Sequence, residues 1–173
     1  MRGLNYIDIE NGADSSIEIV LPRNEILQLD GDAYTAGRLK LSGSATLGSD
    51  RRSVDYVTGI SSEGGRASLK FNAEGAGTYA VTIEYANNDE GGKHAYNVDL
   101  IERYVTVTAG GKSQDVFCRS TYSWDTYKTV TCYVDLKKGS NTITFTNSGN
   151  YKFDGQTSYA PNIASVSVNR ICK

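Results

Sequence analysis

The only tryptophan of the chain, Trp124, stands among polar residues in segment 122–127. An indole ring in a polar loop exposes apolar surface unless something stacks on it, and the apolar C–H faces of sugar rings are suited to such stacking. Binding residues concentrate on loops. We therefore predict that Trp124 is a stacking platform for a sugar. The alternative is that Trp124 packs in the core, as a lone tryptophan of a soluble protein usually does.

Two longer segments, 86–103 and 147–162, are rich in planar hydrogen-bonding side chains and aromatic rings. Long loops on a compact domain are often binding loops, and this mixture of side chains suits sugar hydroxyls. The alternative is that both segments are solvated connections. The candidate ligand-binding residues in the two segments are His94, Tyr96, Tyr159 and Asn162.

Arg119 flanks the tryptophan segment and is a further candidate. Its guanidinium can bind a uronate carboxylate through two parallel hydrogen bonds. It can equally pair with Asp125 or Asp115 of the chain itself, and we favour this structural interpretation.

Other chemistry finds little support in the sequence. The chain has one histidine, which excludes a multi-histidine metal site, and the neighbours of His94 do not form a recognisable catalytic triad. The glycine pair 91–92 is interpreted as a turn, because no strand-to-helix phosphate loop surrounds it. We therefore predict no catalytic residues and no metal-ligating residues.

The three cysteines, Cys118, Cys132 and Cys172, are odd in number and lack zinc-site spacing. Cys118 and Cys132 lie on either side of the tryptophan segment, and a disulfide between them is possible if their strands are neighbours. Cys132 occupies an apolar position of an alternating run, which is typical of a small buried side chain. We favour free thiols.

The sequence pattern predicts that short β-strands position these residues. Apolar and polar residues alternate along several runs, and glycine-rich turn segments separate the runs. The pattern predicts an all-β fold, an antiparallel β-sandwich of the jelly-roll type, with no helix of three or more turns within 65–146. The predicted core residues are Val81, Ile83, Val105, Val107, Val134, Ile143, Phe145 and Val166.

Length and charge bound the possible functions. The chain has 173 residues, enough for one domain with a sizeable core. Its net charge of −2 and the lack of a basic run disfavour nucleic acid as a partner, and no apolar stretch is long enough to span a membrane. Residues 1–31 read as a linker, the end of a preceding domain or an added edge strand. Because the start lacks a signal-peptide pattern, we expect a mature fragment or an excised piece.

Six short motifs together resemble the family 35 carbohydrate-binding modules, in the wider jelly-roll group that includes family 6. Each motif is weak alone, but their order and spacing over about residues 34–168 are specific. They are segments 41–45 (LSGSA), 56–60 (YVTGI), 77–87 (GTYAVTIEYAN), 123–127 (SWDTY), 138–143 (KGSNTI) and 160–163 (APNI).

The resemblance implies that residues 32–173 form a non-catalytic module whose loops bind sugar in a cleft at one end of the sandwich. Trp124 would be the stacking platform, Asn162 would orient the sugar through its amide, and Tyr56 would form a second wall. The parent protein would be a secreted glycoside hydrolase or related enzyme, with the module monomeric inside it. The ligand would be a plant-type glycan containing galactose, mannose or uronic acid.

The family also holds a structural calcium ion through two glutamates near its start and an aspartate near its end. At the corresponding positions this chain has Thr35, Gly37 and Ala164. Calcium needs several oxygen ligands, usually including carboxylates. We therefore expect the structural calcium site to be lost, unless the register slips so that Asp30 or Asp32 substitutes, and we predict no firm cofactor.

Two other classes of function stay open. A small jelly-roll polysaccharide lyase would use a tyrosine or His94 as the base and Arg119 or a lysine to neutralise a uronate. A structural or protein-binding sandwich would need neither. An assay for bond cleavage beside a glycan-binding screen separates these possibilities.

Overall fold

The computed structural model describes residues 33–94, 97–151 and 159–171. Within them it contains thirteen strands and one 3₁₀ helix, Ala36–Arg38. The strands are β1 (Tyr34–Thr35), β2 (Lys40–Ser42), β3 (Thr46–Ser49), β4 (Asp55–Thr58), β5 (Arg66–Ala73), β6 (Gly77–Ala86), β7 (Glu90–His94), β8 (Asn97–Leu100), β9 (Arg103–Ala109), β10 (Lys112–Cys118), β11 (Lys128–Leu136), β12 (Gly139–Thr146) and β13 (Asn162–Arg170). The predicted segment 1–31 lies outside the described residues.

Eleven of the thirteen strands form two antiparallel sheets. The first sheet has the order β11-β6-β13-β4-β3, and β1 also pairs with β13. The second sheet has the order β10-β9-β12-β5-β2. The predicted antiparallel β-sandwich of the jelly-roll type is confirmed. Strand β13, the last of the described strands, is central in the first sheet, between β6 on one side and β4 and β1 on the other.

The alternating residues of the two sheets meet in one core. In β11 the burial pattern alternates residue by residue, with Cys132, Val134 and Leu136 inside and their neighbours outside. Burying a Val, Leu, Ile or Phe side chain stabilises the fold by about 1.5–3 kcal/mol. All eight predicted core residues are buried, so this prediction is confirmed.

The segment 86–103 differs from the prediction, which treated it as a long binding loop. Within it, β7 and β8 pair as a separate antiparallel hairpin whose register shifts between Glu90 and Lys93. The sequence signal is weak here because glycines at 91 and 92 interrupt the alternation that marks the other strands. In the described part of the chain, no helix is long and apolar enough to cross a membrane.

Cys118 and Cys132 are buried free thiols, on β10 of the second sheet and β11 of the first. Burial raises the pKa of the Cys118 thiol far above its ordinary value, and the neighbouring Cys132 raises it further. Burial also raises the pKa of Cys132, to about 11. Both thiols are therefore protonated and inert at neutral pH.

We expect these thiols to make the protein less stable in alkali. The unfolded chain releases its thiol protons from about pH 8.5 upward, whereas the folded chain retains them to a higher pH, so the free energy of unfolding falls across this interval. Urea unfolding at pH 7.5 and 9.5 should show a loss of about 2–3 kcal/mol, about half of it from each thiol. The Cys132→Ala variant should lose less between the same two pH values. An unfolding free energy of the parent protein that does not change over this interval would contradict the burial of the thiols.

Candidate functional site

Three connections gather at one end of the sandwich. Strands β6 and β10 end there, and β9, β11 and β13 begin there, because these strands pair in antiparallel fashion with their ends aligned. Ala86 lies opposite Asn162, and Cys118 lies opposite Arg103. The described residues of segments 87–102, 119–127 and 147–161 therefore approach one another at this end.

The side chain of Arg103 lies at the meeting point of these connections. Its guanidinium carbon is 5.0 Å from the ring centroid of Trp124 and 5.9 Å from that of Tyr159. Its Nε donates to Asp89 Oδ2 at 2.9 Å, and its Nη1 donates to the carbonyl oxygen of Ala160 at 3.2 Å. We call Asp89, Arg103, Trp124, Tyr159 and Ala160 the Arg103 cluster. A cation near two aromatic rings fixes their position even without a ligand.

Trp124 lies in the loop between β10 and β11 and is half-buried. Trp124 is therefore neither a fully buried core residue nor a fully exposed one. The guanidinium of Arg103 occupies one side of the indole. A sugar ring can stack only on a side that the guanidinium leaves uncovered, so Arg103 determines which indole face serves as a platform.

The start of the Trp124 loop is held by a fully buried amide, that of Asn87. Its Nδ2 donates to the carbonyl oxygens of Ile101 and Cys118, both at 2.8 Å. The backbone of Asn87 exchanges hydrogen bonds with Thr121, whose N–H reaches the Asn87 carbonyl at 2.7 Å. Asn87 therefore joins the end of β6 to two other connections in the interior.

The far side of the Trp124 loop is held by the turn between β3 and β4. Both Nε (2.7 Å) and Nη2 of Arg51 donate to the Asp125 carboxylate, and Arg52 donates to the Asp125 carbonyl oxygen. The Tyr127 hydroxyl donates to Asp50 Oδ2 at 3.2 Å. We call Asp50, Arg51, Arg52, Asp125 and Tyr127 the clamp. The clamp therefore fixes Asp125 and Tyr127, one and three residues after Trp124.

The clamp also shifts two pKa values. Desolvation raises the pKa of Asp50, but hydrogen bonds from the N–H groups of Val54 and Arg52 and from Tyr127 outweigh it, so the pKa lies below its usual value. Desolvation, together with the hydrogen bond to Asp50, raises the pKa of Tyr127 to about 12. The carboxylate and the neutral phenol are thus the forms present at neutral pH.

Tyr159 reaches the Arg103 cluster because the end of its segment is fixed. It forms an isolated antiparallel bridge with Ser61, and the N–H of Ala160 donates to Ile60 at 2.9 Å. Just before Ile60, Gly59 adopts a φ of 74°, and a Cβ there would lie 2.3 Å from the Ser44 carbonyl oxygen. Glycine is therefore required for the turn that presents residues 60 and 61.

Six of the seven predicted site residues divide into three groups. Trp124 and Tyr159 come together around Arg103, and Asn162 is buried at the first position of β13, at the same end. Tyr56 lies across Gly48 of β3, on the clamp side, where it is one of the groups that raise the Tyr127 pKa. The His94 side chain and all of Tyr96 lie outside the described residues.

Arg119 is placed differently from the expectation. It pairs with neither Asp125 nor Asp115; its Nε lies 3.3 Å from Glu102 Oε1, and its side chain is 84% exposed. Asp125 is taken by the clamp, and Asp115 accepts a hydrogen bond from Thr106. The expected pairing was therefore wrong, because the strand register brings Arg119 beside the residue preceding β9.

Arg103 was missed by sequence reasoning. The only signal available was a basic residue at the start of a strand, next to an interrupted alternating pattern. Nothing in that pattern indicates that its guanidinium lies between two aromatic residues that are distant in sequence. Asn87 was noted as a polar residue of its segment, but its buried anchoring contacts depend on the paired strand ends.

The positions expected to have lost their calcium carboxylates lie beside one another. Thr35 pairs with Ser165, the residue next to the buried Ala164, and Gly37 follows in the 3₁₀ helix. Within residues 33–94, 97–151 and 159–171, no group of three or more His, Cys, Asp or Glu side chains has a geometry that could hold a metal ion.

The known proteins that this chain resembles are carbohydrate-binding modules and carbohydrate-active enzymes. No family model matches the chain. A family 35 carbohydrate-binding module from Clostridium thermocellum is 28% identical, with a TM-score of 0.62, covering 80% of this chain and 98% of that one. An exo-β-1,3-galactanase from Phanerochaete chrysosporium, in complex with β-1,3-galactotriose, is 25% identical with a TM-score of 0.61, covering 80% of this chain and 29% of the enzyme.

Among curated proteins, an isomaltosyltransferase from Sporosarcina globispora is 27% identical over 113 residues, 65% of this chain. The match covers only 9% of that enzyme's length. The resemblance to family 35 carbohydrate-binding modules, predicted from the six motifs, is thus confirmed in fold and is accompanied by a likeness to one segment of larger carbohydrate-active enzymes.

Proposed function

We propose that this chain is a non-catalytic carbohydrate-binding module of a carbohydrate-active enzyme, and that it binds glycan at the Arg103 cluster. The observation that carries the proposal is the convergence of two aromatic side chains, Trp124 and Tyr159, on one guanidinium at the loop end of the sandwich. Aromatic faces beside fixed donors and acceptors are the groups that a pyranose ring requires.

In this proposal three side chains contact the sugar and two others hold the site in position. Trp124 provides the stacking face, and Tyr159, which is 44% exposed, provides a second aromatic surface. The amide of Asn162 orients sugar hydroxyls, as in the family that the chain resembles. Asp89 and Asn87 do not touch the glycan in this proposal; they hold Arg103 and the Trp124 loop in position.

For the ligand we propose a glycan with galactose, mannose or uronic acid, and we add α-linked glucans as a class to test. The addition rests on the names of the relatives, which include an isomaltosyltransferase as well as a galactanase. The module would be monomeric within a secreted multidomain enzyme and would keep that enzyme near its polysaccharide.

A glycan-binding screen with galactans, mannans, xylans, pectic glycans and α-glucans tests this function. We expect binding to at least one polysaccharide and no release of products from any of them. Product release would favour the lyase alternative. That alternative is not supported by the position of Arg119, whose guanidinium faces Glu102 rather than the Arg103 cluster.

We further propose that the module lacks the structural calcium of the family, and we expect its melting temperature to stay within about 1–2 °C when EDTA is added. A metal ion that binds only the folded state raises its stability by mass action, and chelation removes that increment. Thr35, Gly37 and Ala164 offer no carboxylate for such an ion. Adding EDTA and then excess calcium to ligand-free protein measures the effect. A fall in melting temperature that calcium reverses would contradict the proposal.

A further inference from the structure

In the Trp124 loop, Tyr122 has the most exposed large hydrophobic side chain of the described residues. It is 71% exposed, and its backbone has a φ of 63°, in the left-handed region. A residue with a Cβ adopts this conformation at a cost, and it persists where surrounding contacts impose it. The loop therefore holds an aromatic ring in solvent in an unfavourable backbone conformation, and core packing provides no reason for it.

Contacts nevertheless hold Tyr122. Its backbone N–H donates to Ser120 Oγ at 3.0 Å. Lys128 Nζ lies 4.9 Å from the ring centroid and donates to the Ser120 carbonyl oxygen at 2.9 Å. Ser120 is itself buried. An aromatic surface fixed in advance loses little conformational entropy when a ligand stacks on it.

Tyr122 borders an open depression of about 340 Å³, near the lower end of the volume range of small-ligand sites. Its lining offers apolar surface from Tyr122 and Leu100, donors from Arg119 and Lys128, and an acceptor from Glu102. A pyranose ring, with an apolar face and hydroxyls around its edge, is complementary to this mixture.

Residues that line the depression are close in sequence to residues of the Arg103 cluster, at two places in the chain. Tyr122 and Trp124 are two residues apart, which limits their Cα separation to about 7 Å. Glu102 lines the depression, whereas the next residue, Arg103, centres the cluster. Adjacent units of one glycan chain can bridge such a separation.

We infer that the depression is a second sugar subsite, in which Tyr122 stacks on the unit next to the one held by Trp124. The inference rests on the proposed function and extends it: the module binds two or more consecutive sugar units of one chain rather than a single terminal sugar. The donors Arg119 and Lys128 contact the hydroxyls of the second unit.

Binding isotherms with ligands of increasing length test the subsite. The probes are glucose, isomaltose and isomaltotriose; galactose, β-1,3-galactobiose and β-1,3-galactotriose; and the oligomers of any polysaccharide bound in the screen. For the parent protein, the disaccharide of a bound series should bind about tenfold more tightly than its monosaccharide, since one aromatic stack contributes about that factor.

Tyr122→Ala should remove this tenfold gain and leave monosaccharide affinity unchanged. Tyr133→Ala is the matched control, because Tyr133 is also an exposed tyrosine, at 55%, but lies within β11. Tyr122→Gly should remove the same gain without lowering the melting temperature, because glycine adopts the left-handed conformation readily. This second variant separates lost stacking from a damaged loop.

The results distinguish failure of the subsite from failure of the proposed function. If the parent protein binds mono- and disaccharide equally, or if Tyr122→Ala loses no more of the gain than Tyr133→Ala, the second subsite is refuted while the module remains a glycan binder. If the parent protein binds no glycan in the screen, the proposed function fails, and the subsite fails with it.

Discussion

Trp124→Ala should weaken glycan binding by about 5- to 150-fold while the protein stays folded. Loss of one aromatic stacking platform costs on the order of 1–3 kcal/mol of binding free energy, by analogy with base–aromatic stacking. The ring is only half-buried, and its contact with Arg103 is worth about 0.5–2 kcal/mol, so the accompanying loss of stability should stay near that range. Calorimetric titration and thermal melting on the same sample measure both quantities.

Trp124→Phe is the matched variant for this experiment. It retains an aromatic ring beside Arg103, so it should keep part of the affinity and most of the stability. A Trp124→Ala protein that is unfolded, or destabilised by the roughly 3–5 kcal/mol typical of a truncated core aromatic, would instead place the indole in the core. Unchanged affinity with unchanged stability would move the binding site away from Trp124.

Asn87→Ala should lower the free energy of unfolding by about 3–5 kcal/mol. The truncation leaves the carbonyl oxygens of Ile101 and Cys118 without their donor in the interior, and each unsatisfied buried group costs about 1–3 kcal/mol. The melting temperature should fall by about 10 °C. Urea unfolding and thermal melting measure the two effects.

Asn72→Ala is the control, since Asn72 is an exposed residue of β5 with no part in these contacts. It should change stability by less than about 0.5 kcal/mol, as surface substitutions usually do. Glycan affinity of the Asn87→Ala protein should also fall at temperatures where it is folded, because the Cys118 carbonyl, just before the Trp124 loop, loses its side-chain donor. Equal stability of the two variants would falsify the anchoring role of Asn87.

The strands were predictable because one face of each sheet packs against the other sheet, so apolar residues recur at every second position. Residues such as Val81 and Ile83 of β6 face the other sheet, and the alternation of the pattern follows directly from the pleat. The β7–β8 hairpin escaped prediction for the same reason: glycines at 91 and 92 carry no side chain to mark a face. Sequence periodicity identifies a strand through side chains that alternate between two faces, and a glycine pair interrupts that alternation.

The candidate site was predictable only in part. Trp124 stood out because a polar loop surrounds it, and Tyr159 because aromatic and amide residues are concentrated in its segment. Arg103 and the clamp did not stand out, since an arginine at the start of a strand is common and its partners lie far away in sequence. Arg51 meets Asp125 across 74 residues, so this contact depends on the folded topology alone.

The central position of β13 has a consequence for how the chain folds. The last strand is flanked by β6 and by β4 and β1, and it begins with Asn162 at the candidate site. A ribosome that has released the chain only as far as β12 therefore exposes a first sheet split into two parts with an empty slot between them. Such a nascent chain presents unpaired strand edges, which favour aggregation until the final strand emerges. Because β13 pairs with strands made much earlier, closing the slot is a slow, long-range step, and glycan binding should appear only after it.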